Sequence, residues 1–386
     1  MDPAPRALTV VGCMSGTSAD GIDAAAVRIV GPGLEARHEP LAFASVPYGP
    51  IADRVRALQR GSAMTAAEIA SLSRDLALLH ADLIRGMVAE AGHPDLVVMH
   101  GQTIHHAPPV SWQLASPAVV AAALDCDVVS DLRASDLAEG GQGAPITPLA
   151  DWLLMRDRSA SPRARAIINL GGFCNATILP AGAPPQSVAG FDVCLCNQLL
   201  DHACLVRTGN PFDDGGACAM RGRVDAGASE RIADHLATQH GAGRSLGSAD
   251  ECIGLADLAS GLGPRDALAT IADAVARAIA RVVGEHPAAQ WFAAGGGTRN
   301  GALMRALAEH AAARGATLDT TGSIGVASQA REAIAMAALG AAARDGVCIT
   351  LDRVTGRGSR RLIDGILARS HRIFTIGATS GSADCG

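Results

Sequence analysis

The chain contains no lysine, and all 32 of its basic residues are arginine. This absence excludes three kinds of site that depend on a lysine side chain. A P-loop nucleotide site needs the lysine of its motif, a pyridoxal-phosphate enzyme needs one for its Schiff base, and a protein kinase needs one on a strand. Any phosphate bound here is therefore held by backbone N–H groups, hydroxyl groups, arginine or a metal ion.

Runs of positive charge and long apolar stretches are also missing. With 38 acidic residues against 32 basic ones the net charge is −6, so the electrostatic footprint of a nucleic-acid binder is absent. No segment reaches about 18 uncharged apolar residues, and residues 1–11 lack the pattern of a signal peptide. The ten cysteines are too scattered for a secreted disulfide scaffold. The sequence predicts a soluble cytoplasmic protein with reduced thiols and no membrane contact.

The rest of the composition is that of an ordinary globular protein. The chain has 386 residues, 48% of them apolar and 18% charged. At roughly 100–200 residues per domain, this length predicts two domains. Apolar positions recur at helical spacing between residues 69 and 87, in 268–282 and in 333–343, and these helices alternate with short β-rich runs. The alternation predicts an α/β fold.

One local pattern, a strand followed by a polar glycine-containing loop and a second strand, occurs twice. It spans residues 7–30, around SGTSADG, and residues 166–179, around GGFCN. The second occurrence predicts a second related domain, with the boundary within residues 131–165. Between residues 209 and 263 glycine is dense and no periodicity predicts an element.

Three glycine-rich loops have the composition of phosphate-binding turns: the first glycine loop (residues 16–21), the second (171–175) and the third (295–297). Successive N–H groups can point into one concavity where no Cβ atoms obstruct them. In and beside the first loop, Thr17 and Ser18 add hydroxyl donors, and Asp20 and Asp23 add carboxylates suited to Mg²⁺. A single such loop is usually only a turn, but three together predict a nucleotide cleft between two domains.

An ordered set of motifs resembles the anhydro-N-acetylmuramic acid kinases over about residues 12–365. The motifs are MSGTSADGID (14–23), HGQT (100–103), DLR (131–133), GGQGAP (140–145), NLGG (169–172), FD (191–192), GGG (295–297) with Asn300, and VTG (354–356). The resemblance implies two related domains of the actin and hexokinase type that flank an ATP cleft. It divides the chain into a first domain of residues 1–130 plus about 345–386 and a second domain of residues 131–344.

The resemblance also implies a reaction. Water opens the 1,6-anhydro bond of the sugar while its C6 oxygen receives the γ-phosphoryl group of ATP, giving N-acetylmuramic acid 6-phosphate and ADP for cell-wall sugar recycling. Mg²⁺ is expected as a cofactor, and a homodimer is common among such kinases. Water is a poor nucleophile, so a carboxylate must take its proton. The correspondence assigns that role to Asp192 and places Glu332 at the sugar.

The resemblance and the loop pattern together assign the remaining candidate residues. Mg²⁺ is assigned to Asp20 and Asp23. Candidates to line the sugar site or the cleft are Gln102, Thr103, Asp131, Arg133 and Gln142. The residues assigned to ATP are Gly16, Thr17, Ser18, Ala19, Asp20, Gly21, Ile22, Asp23, Gly171, Gly172, Asn175, Gly295, Gly296, Gly297 and Asn300.

Each of the main candidates also has a purely structural interpretation. Asp192 could cap a turn, and Glu332 could be a helix N-terminal carboxylate stabilised by the helix dipole. His100 could bond a neighbouring backbone carbonyl at the end of a strand. Arg133 could pair with an aspartate close to it in the chain.

Two segments depart from the family pattern. Members usually follow the catalytic aspartate with TGPGN, whereas this chain has VCLCN at residues 193–197. Losing two glycines and a proline changes the freedom of the backbone and fills space beside the base. The family's KSTGRE matches only loosely RSLGSA at residues 244–249. Two alternatives therefore stay open: a related sugar kinase with a different acceptor, and a catalytically silent nucleotide-binding regulatory protein.

The cysteines at and after this departure, Cys194, Cys196, Cys204 and Cys218, raise the question of zinc. A single C-x-C lacks the paired knuckles of a strong zinc site. Buried free thiols that fill space are the interpretation we favour.

Overall fold

A computed structural model describes residues 7–16, 19–240, 246, 253–358 and 364–370 of the chain. These residues form two β-sheets and the helices that pack on them. The strands of the first sheet are β1 (Ala7–Ser15), β2 (Gly21–Val30), β3 (Arg37–Pro47), β4 (Leu96–Ala107), β5 (Val110–Leu114), β6 (Asp127–Ser130) and β12 (Ile366–Ala368). Those of the second sheet are β7 (Arg165–Leu170), β8 (Phe173–Leu179), β9 (Ala189–Leu195), β10 (Gln290–Ala294) and β11 (Thr317–Thr320).

The helices lie between these strands in the sequence. They are α1 (Ala52–Gln59), α2 (Ala66–Ala91), α3 (Pro117–Leu124), α4 (Ala134–Ala138), α5 (Pro148–Met155), α6 (Asn197–Thr208), α7 (Ala226–Thr238), α8 (Pro264–Gly284), α9 (Gly301–Ala312), α10 (Arg331–Arg344) and α11 (Asp352–Thr355). Short 3₁₀ turns at Gly296–Arg299 and Thr321–Ile324 precede two of the later elements.

The two sheets share one strand order. The first runs β3-β2-β1-β4-β6 and the second β9-β8-β7-β10-β11, each with an antiparallel three-stranded half and a parallel half. The prediction of an α/β protein with two related units of the actin and hexokinase type is confirmed. In addition, β5 pairs with the end of β4, and β12 pairs with β6, so the described C-terminal strand lies on the first sheet. The bounds of the two domains stay a prediction.

Two helices, α5 and α10, fill the space between the sheets. Their residues form one core with side chains from the first sheet, such as Val98, and from the second, such as Ile167. Helix α10 is rich in alanine, which permits close approach: a Cβ on Gly12 of β1 would lie 2.1 Å from the carbonyl oxygen of Ala333. The N-terminal turn of α10 is thus held firmly against the first sheet.

A buried ion pair ties α10 to α5. Arg331, 1% exposed, donates from Nε to Oδ1 of Asp151 at 3.0 Å and from Nη2 to Oδ2 of the same carboxylate. Thr177 of β8 donates its hydroxyl to Asp151 at 2.6 Å. Breaking one partner of such a pair leaves an uncompensated buried charge, so this contact fixes how α10 enters the space between the sheets.

Some elements carry too little pattern to be predicted. Strand β3 is an edge strand with alternating exposed and half-buried residues, and β9 carries the FD motif instead of an apolar run. Helix α7 lies inside the glycine-dense region for which the sequence predicted no element. Among the helices described, none is long and apolar enough to cross a membrane.

Candidate active site

The first glycine loop joins β1 to β2, and Thr17 and Ser18 lie outside the described residues. Ala19 is buried with a left-handed φ of 51°, and its N–H donates to the Gly16 carbonyl at 3.3 Å. Asp20 is exposed, and its carbonyl accepts from the Tyr48 N–H at 2.9 Å. The bend is therefore tight and closes against the residue that follows β3.

Two residues of the HGQT motif lie next to this loop. The Gln102 side chain is 1% exposed and donates from Nε2 to the Gly16 carbonyl at 3.1 Å. The Thr103 carbonyl accepts from the same Nε2 at 3.2 Å. A direct contact of Gln102 or Thr103 with a sugar stays a prediction, and the observed contacts of Gln102 point to a different role.

The second glycine loop joins β7 to β8 and meets the start of α6. The N–H groups of Cys196 and Asn197 donate to the carbonyls of Gly172 and Gly171 at 2.9 and 3.0 Å. Asn175 of β8 is paired in register with Asp192 of β9. The second loop therefore ends next to the strand that carries Asp192.

The third glycine loop follows β10 and packs on the end of β7. Gly295 has φ +83°, and a Cβ there would lie 2.9 Å from the carbonyl oxygen of Leu170. A Cβ on Gly297 would lie 2.7 Å from the Leu170 side chain, whereas one on Gly296 would meet only Asn197 Nδ2, at an ordinary contact distance of 3.9 Å. The second and third loops are therefore neighbours. Asn300 caps α9, with Oδ1 accepting from two backbone N–H groups at 3.1 Å, and its place at adenosine stays a prediction.

Carboxylates from both units meet beside the first loop. Burial raises the pKa of Asp23, the Ser45 hydroxyl and Arg299 lower it, and the charge of Asp20 raises it further. Arg299 belongs to the turn that contains the third loop, so a charge of that turn acts on Asp23, which follows the first loop. Burial also raises the pKa of Glu332, and Asp23 adds to that rise. Glu332 accepts from Asn169 Nδ2 at 3.1 Å, which joins α10 to the end of β7.

The Asp192 carboxylate is held by backbone. Its Oδ2 accepts the Leu246 N–H at 2.7 Å, and its own carbonyl lies 3.1 Å from Nδ1 of His240. Leu246 is the one described residue of the divergent segment 244–249. Because the contact uses main chain, loss of the family's side chains in that segment does not remove it.

Arg133 links the units electrostatically. Burial lowers its pKa to about 10, while the charges of Asp192 and, more weakly, Glu332 act to raise it. Its Nη2 lies 2.9 Å from Nε2 of His100, and its Nη1 donates to the Gly143 carbonyl. The charges of the neighbouring Asp136 and Asp131 also act on Arg133, and a direct pairing with either of them stays a prediction.

His100 serves Arg133 as a neutral acceptor. Burial, followed by the charge of Arg133, lowers the pKa of His100 to about 3. Its Nδ1 lies 2.9 Å from the Gly101 carbonyl, which places the proton on Nδ1 and leaves Nε2 to accept from Arg133. The interpretation that His100 bonds a neighbouring carbonyl is therefore confirmed.

The other two candidates around Arg133 shape its loop. Asp131 has a left-handed φ of 52°, and burial raises its pKa. Gln142 donates its backbone N–H to the Thr355 carbonyl at 2.7 Å, which ties the GGQGAP loop to the VTG motif. Contact of either side chain with a sugar stays a prediction.

The cysteines of the divergent segment are interior groups. Cys194, Cys196 and Cys204 are buried with free thiols, while Cys218 is half-buried with a free thiol. Burial raises the pKa of Cys196 to about 12, which makes its thiol unreactive. In the part of the chain that the structure describes, no three His, Cys, Asp or Glu side chains are grouped to hold a metal ion.

Several residues of this site carried no sequence signal of their own. Asn169, Asn197 and Leu246 act through one amide or one backbone group, and only their position decides that role. Asn169 is the exception, because it is the first residue of the NLGG motif, and the motif could have marked it as a site residue.

The two α/β units share one strand order and carry three glycine loops, and the charges of Asp192 and Glu332 both act on Arg133. These features define a phosphotransferase of the sugar-kinase class. The family model described as anhydro-N-acetylmuramic acid kinase matches residues 8–368. The chain belongs to this family, as its motifs predicted.

Curated relatives agree over nearly the whole length. The anhydro-N-acetylmuramic acid kinase of Bordetella parapertussis is 37% identical over 372 residues, which cover 92% of this chain and 95% of the relative. That of Gloeobacter violaceus is 35% identical over 377 residues, covering 93% and 97%. That of Streptomyces coelicolor is 35% identical over 370 residues, covering 92% of each.

Proposed function

We propose that this protein is an ATP-dependent kinase that opens the 1,6-anhydro bond of anhydro-N-acetylmuramic acid with water and phosphorylates O6. The products are N-acetylmuramic acid 6-phosphate and ADP, and the reaction takes place in the cytoplasm. Membership of the family supports the reaction. One observation on this chain supports the proposal most directly. Arg133 follows a strand of the first sheet, and the charge of Asp192, on a strand of the second sheet, acts on its guanidinium.

Asp192 is the general base in this proposal. It takes a proton from the attacking water as the new bond forms at the anomeric carbon. The bond between that carbon and O6 breaks, O6 attacks the γ-phosphorus, and ADP leaves. Such base catalysis contributes typically about 10²- to 10⁴-fold to a rate. The Leu246 N–H on Oδ2 keeps the carboxylate oriented and favours its ionised form.

Arg133 and Glu332 complete the sugar side. The guanidinium of Arg133 favours the ionised state of the carboxylates that face it and can bond sugar oxygens with its remaining N–H groups. Glu332, held by Asn169, supplies an acceptor for a sugar hydroxyl. Both roles follow from charge and hydrogen-bonding capacity.

The nucleotide side rests on the glycine loops. At Gly296 the missing side chain leaves only Asn197 Nδ2, 3.9 Å from where a Cβ would be, so a phosphate or ribose could approach the backbone there. Asp20 and Asp23 would hold Mg²⁺, because Mg²⁺ is usually bound through one or two carboxylates together with substrate phosphates. When bound, the ion would neutralise phosphate charge, and the repulsion between the carboxylates of Asp20 and Asp23 supports placing a cation beside them.

The divergent segment does not contradict this acceptor. Val193, Cys194, Leu195 and Cys196 are all fully buried in the core of the second unit. The side chains of Cys194, Leu195 and Cys196 therefore lie inside the protein where the family has glycine, proline and glycine, Val193 takes the place of threonine, and Asp192 itself is retained. A related sugar kinase with a different acceptor stays the alternative. The homodimer expected from the resemblance stays a prediction.

ADP release with anhydro-N-acetylmuramic acid, levoglucosan and plain hexoses tests the proposal. We expect release with the anhydro amino sugar and a loss of about 10²- to 10⁴-fold in kcat for Asp192→Asn. Asp53→Asn is the control, because the Asp53 side chain is 99% exposed on α1. Equal release with plain hexoses would establish another acceptor, and no release with any sugar would favour a silent protein. Full activity of Asp192→Asn would remove Asp192 from its role.

A further inference from the structure

The first glycine loop rests on two buried side chains that no motif explains together. Tyr48 is the only tyrosine of the chain and is 2% exposed, and Gln102 beside it is 1% exposed. The Tyr48 hydroxyl donates to Oε1 of Gln102 at 2.5 Å. Gln102 in turn donates from Nε2 to the Gly16 carbonyl at 3.1 Å.

The same tyrosine reaches the other end of the loop through its backbone. The Tyr48 N–H donates to the Asp20 carbonyl at 2.9 Å. Gly16 and Asp20 lie near the two ends of the loop, and their carbonyls are bound by Gln102 and by Tyr48 respectively. We call Tyr48 and Gln102 the loop clamp.

The clamp matters because of what a phosphate-binding turn must avoid. A carbonyl oxygen is the negative end of the peptide dipole, and one that faced a phosphate would repel it. The Gln102 side chain is buried, so the Gly16 carbonyl that it binds is directed into the protein, and the Asp20 carbonyl is occupied by the Tyr48 N–H. Burial raises the pKa of Tyr48 to about 12, so its hydroxyl stays a neutral donor at every physiological pH.

The hydrogen-bonding capacity of Gln102 is committed to this role. Its Nε2 serves the carbonyls of Gly16 and Thr103, and its Oε1 accepts from Tyr48. A primary amide has two donor hydrogens, and both are used. Gln102 therefore acts from beneath the loop.

We infer that Tyr48 and Gln102 are positioning residues for the nucleotide: the clamp fixes the carbonyls of Gly16 and Asp20, on either side of residues 17 and 18, and makes no contact with substrate itself. The inference rests on the proposed function in that the bound ligand is a nucleoside triphosphate.

Binding of a non-hydrolysable ATP analogue with Mg²⁺, measured by calorimetry without sugar, tests the clamp. We expect Tyr48→Phe and Gln102→Met to weaken binding by about 3- to 10-fold, the range that one ordinary hydrogen bond covers. In steady state, KM for ATP should rise while KM for the sugar does not. Ser229→Ala is the matched control: Ser229 is equally buried and donates its hydroxyl to Asp273, which lies on α8 away from the loops.

A spectroscopic measurement keeps the test open if a variant fails to fold. With 3-fluorotyrosine incorporated, the unmutated chain has one ¹⁹F resonance, because it has one tyrosine. We expect the analogue with Mg²⁺ to shift this resonance and the sugar alone to leave it in place. An unshifted resonance at saturation, or variants that bind the analogue as tightly as the parent, would overturn the inference. A parent that binds no nucleotide would instead overturn the proposed function.

Discussion

The first and second glycine loops occupy equivalent places in two sheets of the same strand order, yet they are held in different ways. In the first unit, the residue after the third strand is Tyr48: its N–H binds the Asp20 carbonyl, and its side chain supports Gln102, whose amide binds the Gly16 carbonyl. In the second unit, helix α6 begins directly after the third strand, and its first N–H groups bind the loop.

The difference explains where the sequence tolerates change. Main-chain support does not depend on which side chains follow Asp192, so residues 193–196 can be cysteine, valine and leucine while Cys196 and Asn197 still hold the second loop. The first loop tolerates fewer substitutions at Tyr48, because only a side chain with a donor at the right distance can bind Gln102. Substitutions should therefore affect the two halves of the cleft unequally.

The largest effect on stability is expected at the buried ion pair between Arg331 of α10 and Asp151 of α5, which lies between the two sheets. Asp151→Ala leaves Arg331 charged and buried between the sheets, which should lower the free energy of unfolding by about 3–5 kcal/mol. Urea denaturation measures it. Asp75→Ala is the control, since the Asp75 pair with Arg54 has side chains about one-third exposed and should cost about 1 kcal/mol or less. Equal losses in the two variants would show that the buried pair has no special weight.

A second, smaller effect should appear where main chain packs on main chain. A Cβ at Gly295 would lie 2.8 Å from Oδ1 of Asn169, so Gly295→Ala must displace the third loop. We expect ATP-analogue affinity to fall by about 10- to 100-fold, as it does when binding groups move by an ångström. Gly315→Ala shares the left-handed φ but has nothing within 4 Å, so it should cost only stability. Similar affinities for both variants would contradict the packing argument.

The smallest effect concerns the electrostatic interaction of Arg133 with the carboxylates of Asp192 and Glu332. Because Asp192 and Glu332 act to raise the pKa of Arg133, that guanidinium favours their ionised forms in return. Arg133→Met should make these carboxylates harder to ionise. Activity would then be lost at a higher pH on acidification, moving the acid limb of kcat/KM upward by about one pH unit. Arg85→Met, on the exposed surface of α2, should leave the limb in place. A limb unmoved by Arg133→Met would show that the units are not coupled through this residue.

Much of the fold could be predicted from periodicity and glycine. The helical stripes from residue 69, in 268–282 and in 333–343 lie in α2, α8 and α10, because each buries one or more continuous apolar faces. The repeated strand, loop and strand pattern correctly predicted two related units. Strands β3 and β9 were missed, since an edge strand and a strand carrying site residues show little apolar alternation.

The candidate site was predicted only as residue types. The motifs contain Gln102 and Arg133. Tyr48, the partner of Gln102, lies far from it in the sequence. His100, the partner of Arg133, was interpreted only as a residue that bonds a neighbouring carbonyl. Hydrogen bonds between residues 54 positions apart leave no local pattern, so their pairing could not be predicted.

The chain by itself determined the strongly periodic elements, the duplication and the set of chemical groups, because these follow from local propensity, apolar spacing and residue identity. It also determined that no lysine takes part. The tertiary structure decided which groups interact: that Tyr48 supports the first loop, that α6 supports the second, and that the charge of Asp192 acts on Arg133. Those choices depend on packing α5 and α10 between the sheets, which brings distant segments within a few ångströms, and such contacts belong to the folded chain as a whole.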